Sequence, residues 1–191
     1  MKSLFVFLRR NYVPTSVYKR REFASVFLDL EGPSVKGQVR VKLFDNYHPE
    51  ATENFRKMCE GFVDSKGQLH SFKGKRFLNS MKGYFMETEE FKETIYGGGI
   101  LNETYEVKFD RAGLVGLSSD VETGKEESGS GFFITLRDMP NLDKHVAIGE
   151  IIEGWDVIQE SDRKGERLVI RDCGFGGLIA RGHEDHGEEL H

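Results

Sequence analysis

Cysteine is scarce in this sequence, which has only two, Cys59 and Cys173, in 191 residues. The two lie far apart and form no CxxC motif, so their spacing indicates neither a zinc site nor a disulfide framework. A reducing compartment suits this cysteine usage best. Long apolar runs are also missing, because the stretch at residues 4–8 has five residues whereas a membrane-spanning helix needs about 18 or more. We therefore predict no membrane span.

An excess of charge of one sign is missing too. The chain has 27 basic and 32 acidic residues and a formal net charge of −5, so its total charge indicates no requirement for nucleic acid as a partner. What the chain does have is the length and apolar content of one domain, since 38% of its residues are hydrophobic and 15 are Phe. A chain of this kind buries a single substantial core.

The first 22 residues, which we call the leader, differ in composition from the rest of the chain. They are rich in basic residues and have no acidic residue before Glu22. This composition is typical of a mitochondrial or plastid transit segment and predicts a mitochondrial location, with the cytoplasm as the alternative. A basic arm that docks on a partner protein has the same composition. The six cations of the leader are Lys2, Arg9, Arg10, Lys19, Arg20 and Arg21.

The last residues, 176–191, which we call the tail, are polar and acidic and lack an apolar period. His183, Asp185 and His186 are of metal-ligand types, but three scattered ligands on a glycine-containing segment are more typical of solvated charge. We therefore expect no metal ion and no cofactor. The leader and the tail are instead predicted to be surfaces through which the chain contacts other protein subunits.

Between the leader and the tail, residues 23–175 show mainly strand periodicity. Alternating β-branched and aromatic residues at 23–30 and 38–44, separated by the turn-forming residues 31–34, predict a hairpin. A helix is predicted from Pro49 to Gly61. Many short strands with only two helices favour an antiparallel barrel. Further strands are predicted at 83–86, 114–118, 132–136, 146–151 and 168–172, and a short helix at 155–159.

Six separated motifs in this region resemble, in the same order, those of the cyclophilins, a family of peptidyl-prolyl cis-trans isomerases. The resemblance covers about residues 23–174 and implies a closed, eight-stranded antiparallel barrel capped by two helices. It also implies a substrate groove on the outer face of that barrel. The motifs are PEATENFR at 49–56, FKGKRF at 72–77, GLVGLS at 113–118, GSGFFIT at 129–135, LDKHVAIGE at 142–150 and IRDCG at 170–174.

Catalysis in the resembled family uses an arginine, which donates to the prolyl nitrogen as the peptide bond twists. The motif that carries it, F-H-R-x-x-P-G-F-x-x-Q-G-G-D-F, aligns without a gap on residues 77–91, and Asn79 stands at the position of the arginine. An amide is neutral and shorter, and it has no forked cationic donor. The alignment therefore predicts no catalytic residue in this chain and indicates a pseudoenzyme.

The proline pocket that the resemblance implies is altered at several other positions. Glu87 replaces a glutamine, which places a charge in a groove that is meant to be dry. Gly131 replaces a second glutamine, and Glu122 replaces an asparagine that binds the substrate backbone. The other changed positions are Tyr84 at the aromatic wall, Phe85 in place of a methionine, and Asn141 in place of a tryptophan or another aromatic residue.

Three pocket contacts of the family are retained. Phe133 supplies the aromatic floor, Leu142 the side wall and His145 the imidazole at the rim. The alternative is that these side chains only pack, because Phe and Leu in a barrel usually belong to the core and a lone His is usually structural.

Two functions of different classes follow from this pattern. The first is a non-catalytic module that serves as a structural or interaction subunit of a larger, mitochondrial assembly. The second is a peptidyl-prolyl isomerase with residual activity that assists protein folding. A groove that binds a proline-containing peptide without isomerising it lies between the two. The missing arginine favours the first.

Overall fold

The computed structural model describes residues 22–101, 104–119, 127–142 and 144–180. The leader up to residue 21 and residues 181–191 of the tail lie outside these ranges. Within these ranges, the strands are accompanied by two α-helices, α1 (Pro49–Glu60) and α2 (Trp155–Lys164), and one 3-10 helix (Pro140–Leu142). The strands are β1 (Glu22–Glu31), β2 (Lys36–Leu43), β3 (Phe62–Val63), β4 (Leu69–His70), β5 (Phe77–Met81), β6 (Phe85–Thr88), β7 (Ile100–Leu101), β8 (Leu114–Ser119), β9 (Glu127–Thr135), β10 (Ala147–Glu153) and β11 (Val169–Ala180).

One antiparallel sheet contains nine of the strands, in the order β11-β1-β2-β10-β8-β9-β6-β5, with β7 pairing on β9. The mainly β architecture with two helices is confirmed, but the predicted closed barrel is not, since the sheet is a curled half-barrel. Arg76 and Val169 form a single isolated bridge between its two ends. Three backbone hydrogen bonds accompany this bridge: the amide of Gly74 donates to the carbonyl of Ile170 over 2.7 Å, that of Ile170 to Lys75 over 2.9 Å, and that of Phe77 to Leu168 over 2.9 Å.

The core lies on the concave side of the sheet. Strand alternation sends Val26, Leu28 and Leu30 of β1 inward, and Val39, Val41 and Leu43 of β2 join them. Helix α1 covers this side with Ala51, Phe55 and Met58. Within the described ranges, neither helix is long and apolar enough to cross a membrane.

Phe132 of β9 is the centre of an aromatic cluster in this core. Its ring centroid lies 5.0 Å from that of Phe55, 5.1 Å from that of Phe72 and 5.7 Å from that of Phe77, all in edge-on geometry. Edge-to-face pairs at such separations add to the free energy gained from burial. The next residue, Phe133, points to the opposite face of the sheet, as the alternation of a strand requires.

The chain ends its last strand later than the sequence predicted. Residues 176–180, assigned to the tail, continue β11 and pair with β1 up to the contact of Glu22 with Ala180. The ladder has an irregularity at Gly176, where Ser25 pairs with Gly177 and the next residue, Val26, pairs with Phe175. The hydroxyl of Ser25 donates to the carbonyl oxygen of Gly177 over 2.9 Å.

Candidate functional site

A row of five residues crosses the convex face of the sheet. Asn79 of β5 is the register partner of Glu87 of β6, Glu87 of Phe133 of β9, and Phe133 of Gly116 of β8, which in turn pairs with Ala147 of β10. Direct cross-strand partners project from the same face, and neighbouring strands lie about 4.8 Å apart. We call these five residues the outer row. It brings a polar end, Asn79 and Glu87, next to an aromatic centre, Phe133.

Phe133 lies at the centre of the outer row and is buried, with 4% of its surface exposed. Its ring packs against Phe109 at a centroid distance of 5.3 Å and meets the ring of His145 edge-on at 5.5 Å. A Cβ atom at Gly116 would lie 2.3 Å from Cζ of Phe133, so only glycine leaves room for the ring over β8. These side chains belong to an outer apolar cluster that is separate from the core: Phe44, Phe109, Leu114, Phe133 and Ala147.

Leu142 and His145 lie next to Phe133, on one irregular segment. Leu142 is half-buried and packs on the outer cluster. Its amide donates to the carbonyl of Met139 over 3.0 Å, and the amide of His145 donates to the carbonyl of Leu142 over 3.0 Å. Two successive turns thus hold both side chains beside Phe133. A cavity of about 120 Å³, lined by Phe109, Pro140 and Leu142 among others, continues from this side.

The polar end of the outer row carries a negative charge. Oε1 of the half-buried Glu87 accepts a hydrogen bond of 2.6 Å from the hydroxyl of Ser118 on β8. Gly131 lies beside this pair, since a Cβ atom there would be 3.5 Å from Cβ of Ser118. Asn79 is exposed. Among the described residues, no Lys, Arg or His lies within ion-pair distance of Glu87.

Three basic residues around the β5–β6 hairpin have contacts elsewhere. Nζ of Lys82 donates to the carbonyl oxygen of Arg163 at the end of α2, over 3.1 Å. Arg137 places its guanidinium over the ring of Tyr84, 5.1 Å from the centroid. Arg76 is exposed at the bridge between the sheet ends. None of the three therefore supplies a guanidinium or ammonium group beside Asn79.

The turn between β5 and β6 is fastened to α2. The amide of Gly83 donates to both carboxylate oxygens of Asp162, over 3.1 and 3.2 Å. Together with the bond from Lys82, these contacts hold the tip of the hairpin that carries Asn79 and Glu87.

The remaining predicted positions lie around the outer row. Phe85 is half-buried on β6, two residues before Glu87, and pairs with Thr135. Tyr84 is exposed at the turn, and Asn141 is exposed on the 3-10 helix. Glu122 lies outside the described residues. The described residues include no group of three or more His, Cys, Asp or Glu side chains arranged to hold a metal ion.

Sequence reasoning missed three contributors to this site. Ser118 donates a hydrogen bond to Glu87, Gly116 leaves room for the ring of Phe133, and Phe109 packs against that ring. The first two depend on which residues face each other across strands, which no local pattern reveals. The alternation in β8, with Leu117 buried in the core, was the one available signal that Gly116 and Ser118 share the outer face.

Comparisons with known proteins cover the strands that carry the outer row. A family model described as cyclophilin type peptidyl-prolyl cis-trans isomerase/CLD matches residues 27–173. A peptidyl-prolyl cis-trans isomerase of Encephalitozoon cuniculi is 32% identical over 158 residues, which are 74% of this chain and 87% of that protein. The peptidyl-prolyl cis-trans isomerase cyp11 of Rhizopus delemar is 30% identical over 167 residues, 77% of this chain. The chain covers 48% of the length of that second relative.

Proposed function

Because the chain belongs to the cyclophilin-type peptidyl-prolyl isomerase family, we propose that its outer row binds proline-containing peptides with little or no isomerisation. In this proposal the chain works as an interaction subunit of a larger assembly rather than as a folding catalyst. One observation carries the proposal: the position of the family's arginine is occupied by Asn79, whose partner in the row is the carboxylate of Glu87.

The chemistry of the reaction explains why these two residues matter. Rotation about a peptide bond has a barrier of about 18–20 kcal/mol, because the nitrogen lone pair is delocalised into the carbonyl. A catalyst must favour the twisted amide, in which that lone pair is localised on nitrogen and accepts a hydrogen bond. Asn79 offers a neutral donor on a short side chain, and the negative charge of Glu87 disfavours a growing electron pair nearby.

The apolar half of the row supports binding. Phe133, Leu142 and His145 form a floor, a wall and a rim of the kind that fits a proline ring. Burial of apolar surface at about 25 cal/mol per Å² favours binding of a proline ring but does not by itself lower the rotation barrier. A protein that keeps this apolar half and lacks the cationic donor can bind a proline ring without accelerating its isomerisation.

Nuclear magnetic resonance with a short Xaa-Pro peptide tests this proposal. We expect shifts of the amide signals of Phe133, Leu142 and His145 on titration, while cis/trans exchange keeps its uncatalysed time of about 10–100 s. Phe133→Ala should abolish these shifts because it removes the floor. Leu69→Ala, which changes an exposed side chain of the separate β3–β4 pair, is the control and should leave them in place. Absence of binding, or exchange on the millisecond scale, would contradict the proposal.

A weakly active isomerase is the second candidate function. The retained contacts of Phe133, Leu142 and His145 favour it, as do the two relatives named as isomerases. The exchange measurement separates the two candidates, because only an isomerase shortens the exchange time in proportion to protein concentration.

The assembly role and the mitochondrial location are proposals from sequence. Six cations in the leader and the acidic tail support them as docking segments for other subunits. A chain starting at Glu22 should melt at the same temperature as the full chain and fail to co-purify with the partners that the full chain retains from mitochondrial fractions. Equal co-purification by both forms would show that the leader is dispensable, and recovery from cytosol alone would refute the location.

A further inference from the structure

Glu87 is an unusual group to find beside the aromatic centre of the outer row. It lies one strand away from Phe133 on the same face, and its neighbours Met86 and Thr88 point into the interior. Its side chain is half-buried, so water solvates the carboxylate only in part. A partly desolvated charge without a counter-charge is costly. Any ligand that lies on Phe133 covers this carboxylate further.

One oxygen of Glu87 is held and the other is available. Oε1 accepts the hydrogen bond from Ser118, whereas Oε2 accepts none from the described residues. The hydroxyl fixes the carboxylate in orientation but leaves its charge uncompensated. Lys82 in the hairpin turn is engaged by the end of α2, and Arg137 is engaged by the ring of Tyr84. Among the residues that the structure describes, Oε2 of Glu87 is thus a free acceptor on an oriented carboxylate that has no counter-charge.

We propose that Glu87 selects proline-containing peptides that carry a Lys or Arg residue directly next to the proline. The inference rests on the proposed binding function of the outer row. Adjacent strands are about 4.8 Å apart and an extended peptide advances about 3.3 Å per residue, so a proline on Phe133 places its neighbour in reach of Glu87. A charge-assisted hydrogen bond to Oε2 offsets the desolvation of the carboxylate.

The change at Gly131 supports this selection. The position faces the Ser118–Glu87 pair without a side chain, so no protein group from there competes for the carboxylate. An acidic neighbour in the peptide is rejected for the converse reason, since two carboxylates in a half-dry groove repel each other. Selectivity for charge therefore arises from attraction and from exclusion at one position.

Calorimetry with matched peptides tests the inference. Three peptides differ only at the residue before the proline, which is Lys, its uncharged isostere norleucine, or Glu, and a second set varies the residue after it. In the set whose varied residue lies beside Glu87, the Lys peptide should bind about tenfold more tightly than the norleucine peptide. The Glu peptide should bind more weakly than either. Raising the salt concentration should reduce the preference for Lys.

Two variants make the result specific to Glu87. Glu87→Gln should lower the affinity for the Lys peptide to that for the norleucine peptide. Glu90→Gln removes a charge of equal sign whose side chain is 74% exposed, and it should leave the preference unchanged. Equal affinities for all peptides, or a preference that survives in Glu87→Gln, would overturn the inference while leaving the binding function intact. Failure of every peptide to bind would overturn the proposed function as well.

Discussion

Conversion of Asn79 to Arg is expected to restore isomerisation only when Glu87 is converted to Gln in the same protein. The two positions are register partners, so an arginine at 79 pairs with the carboxylate at 87 and its guanidinium is no longer free for the prolyl nitrogen. One well-placed donor to a developing lone pair is worth about 10²–10³ in rate. We expect a gain of this order from Asn79→Arg/Glu87→Gln and less than about a tenth of it from Asn79→Arg alone.

An isomerisation assay on an Xaa-Pro peptide measures both variants. Ser80→Arg is the matched control, because it adds the same group one residue along the strand, where alternation directs it to the other face. It should leave the rate unchanged. Equal rates for the single and double variants would mean that Glu87 does not capture the guanidinium. No gain in the double variant would show that Gly131 or another position also limits the reaction.

Truncation of Phe132 to Ala should have the largest effect on stability of any single change considered for this chain. The ring is fully buried among Phe55 of α1, Phe72 of the segment between β4 and β5, and Phe77 of β5, so its removal leaves a cavity between three separate elements. Replacement of a buried Phe by Ala costs about 3–5 kcal/mol. Because a domain has a free energy of unfolding of only about 5–15 kcal/mol, the variant loses a large share of its stability.

Urea unfolding of the variant and of the parent chain measures this loss. Leu101→Ala, at a residue that is 62% exposed on β7, should change the free energy of unfolding by less than about 0.5 kcal/mol. A cost of under about 1 kcal/mol for Phe132→Ala would contradict this prediction, because it would show that the aromatic cluster repacks around the smaller side chain.

Part of this fold could be predicted because some elements bury one face only. The first hairpin was predicted at 23–30 and 38–44 and found at Glu22–Glu31 and Lys36–Leu43, since its inward residues alternate strictly. Strand β5 was not predicted, because of its five residues only Phe77 is buried and the other four leave no periodic signal. Helix α2 runs five residues beyond its predicted end and stops at Lys164. Gly165 ends the helix because it adopts a left-handed conformation.

The candidate site, too, could be predicted from the sequence only in part. A linear alignment assigned Asn79, Glu87 and Phe133 to one pocket, and strand register brings all three into the outer row. The bond from Ser118 to Glu87 joins strands that are not neighbours in the sheet, so no sequence pattern contains it. The half-barrel depends likewise on where β5 and β11 meet, which is a property of the whole chain.

The fastening of the β5–β6 hairpin to α2 has a consequence for how the groove meets a ligand. At its tip the hairpin is held by Asp162, and at its base the amide of Phe77 donates to the carbonyl of Leu168, just before β11, over 2.9 Å. A hairpin pinned at both ends does not swing, so the separation of Asn79 and Glu87 is set before any peptide arrives. Recognition on such a surface is lock-and-key: little ordering entropy is lost on binding, and a peptide of the wrong charge has no closing motion to accommodate it.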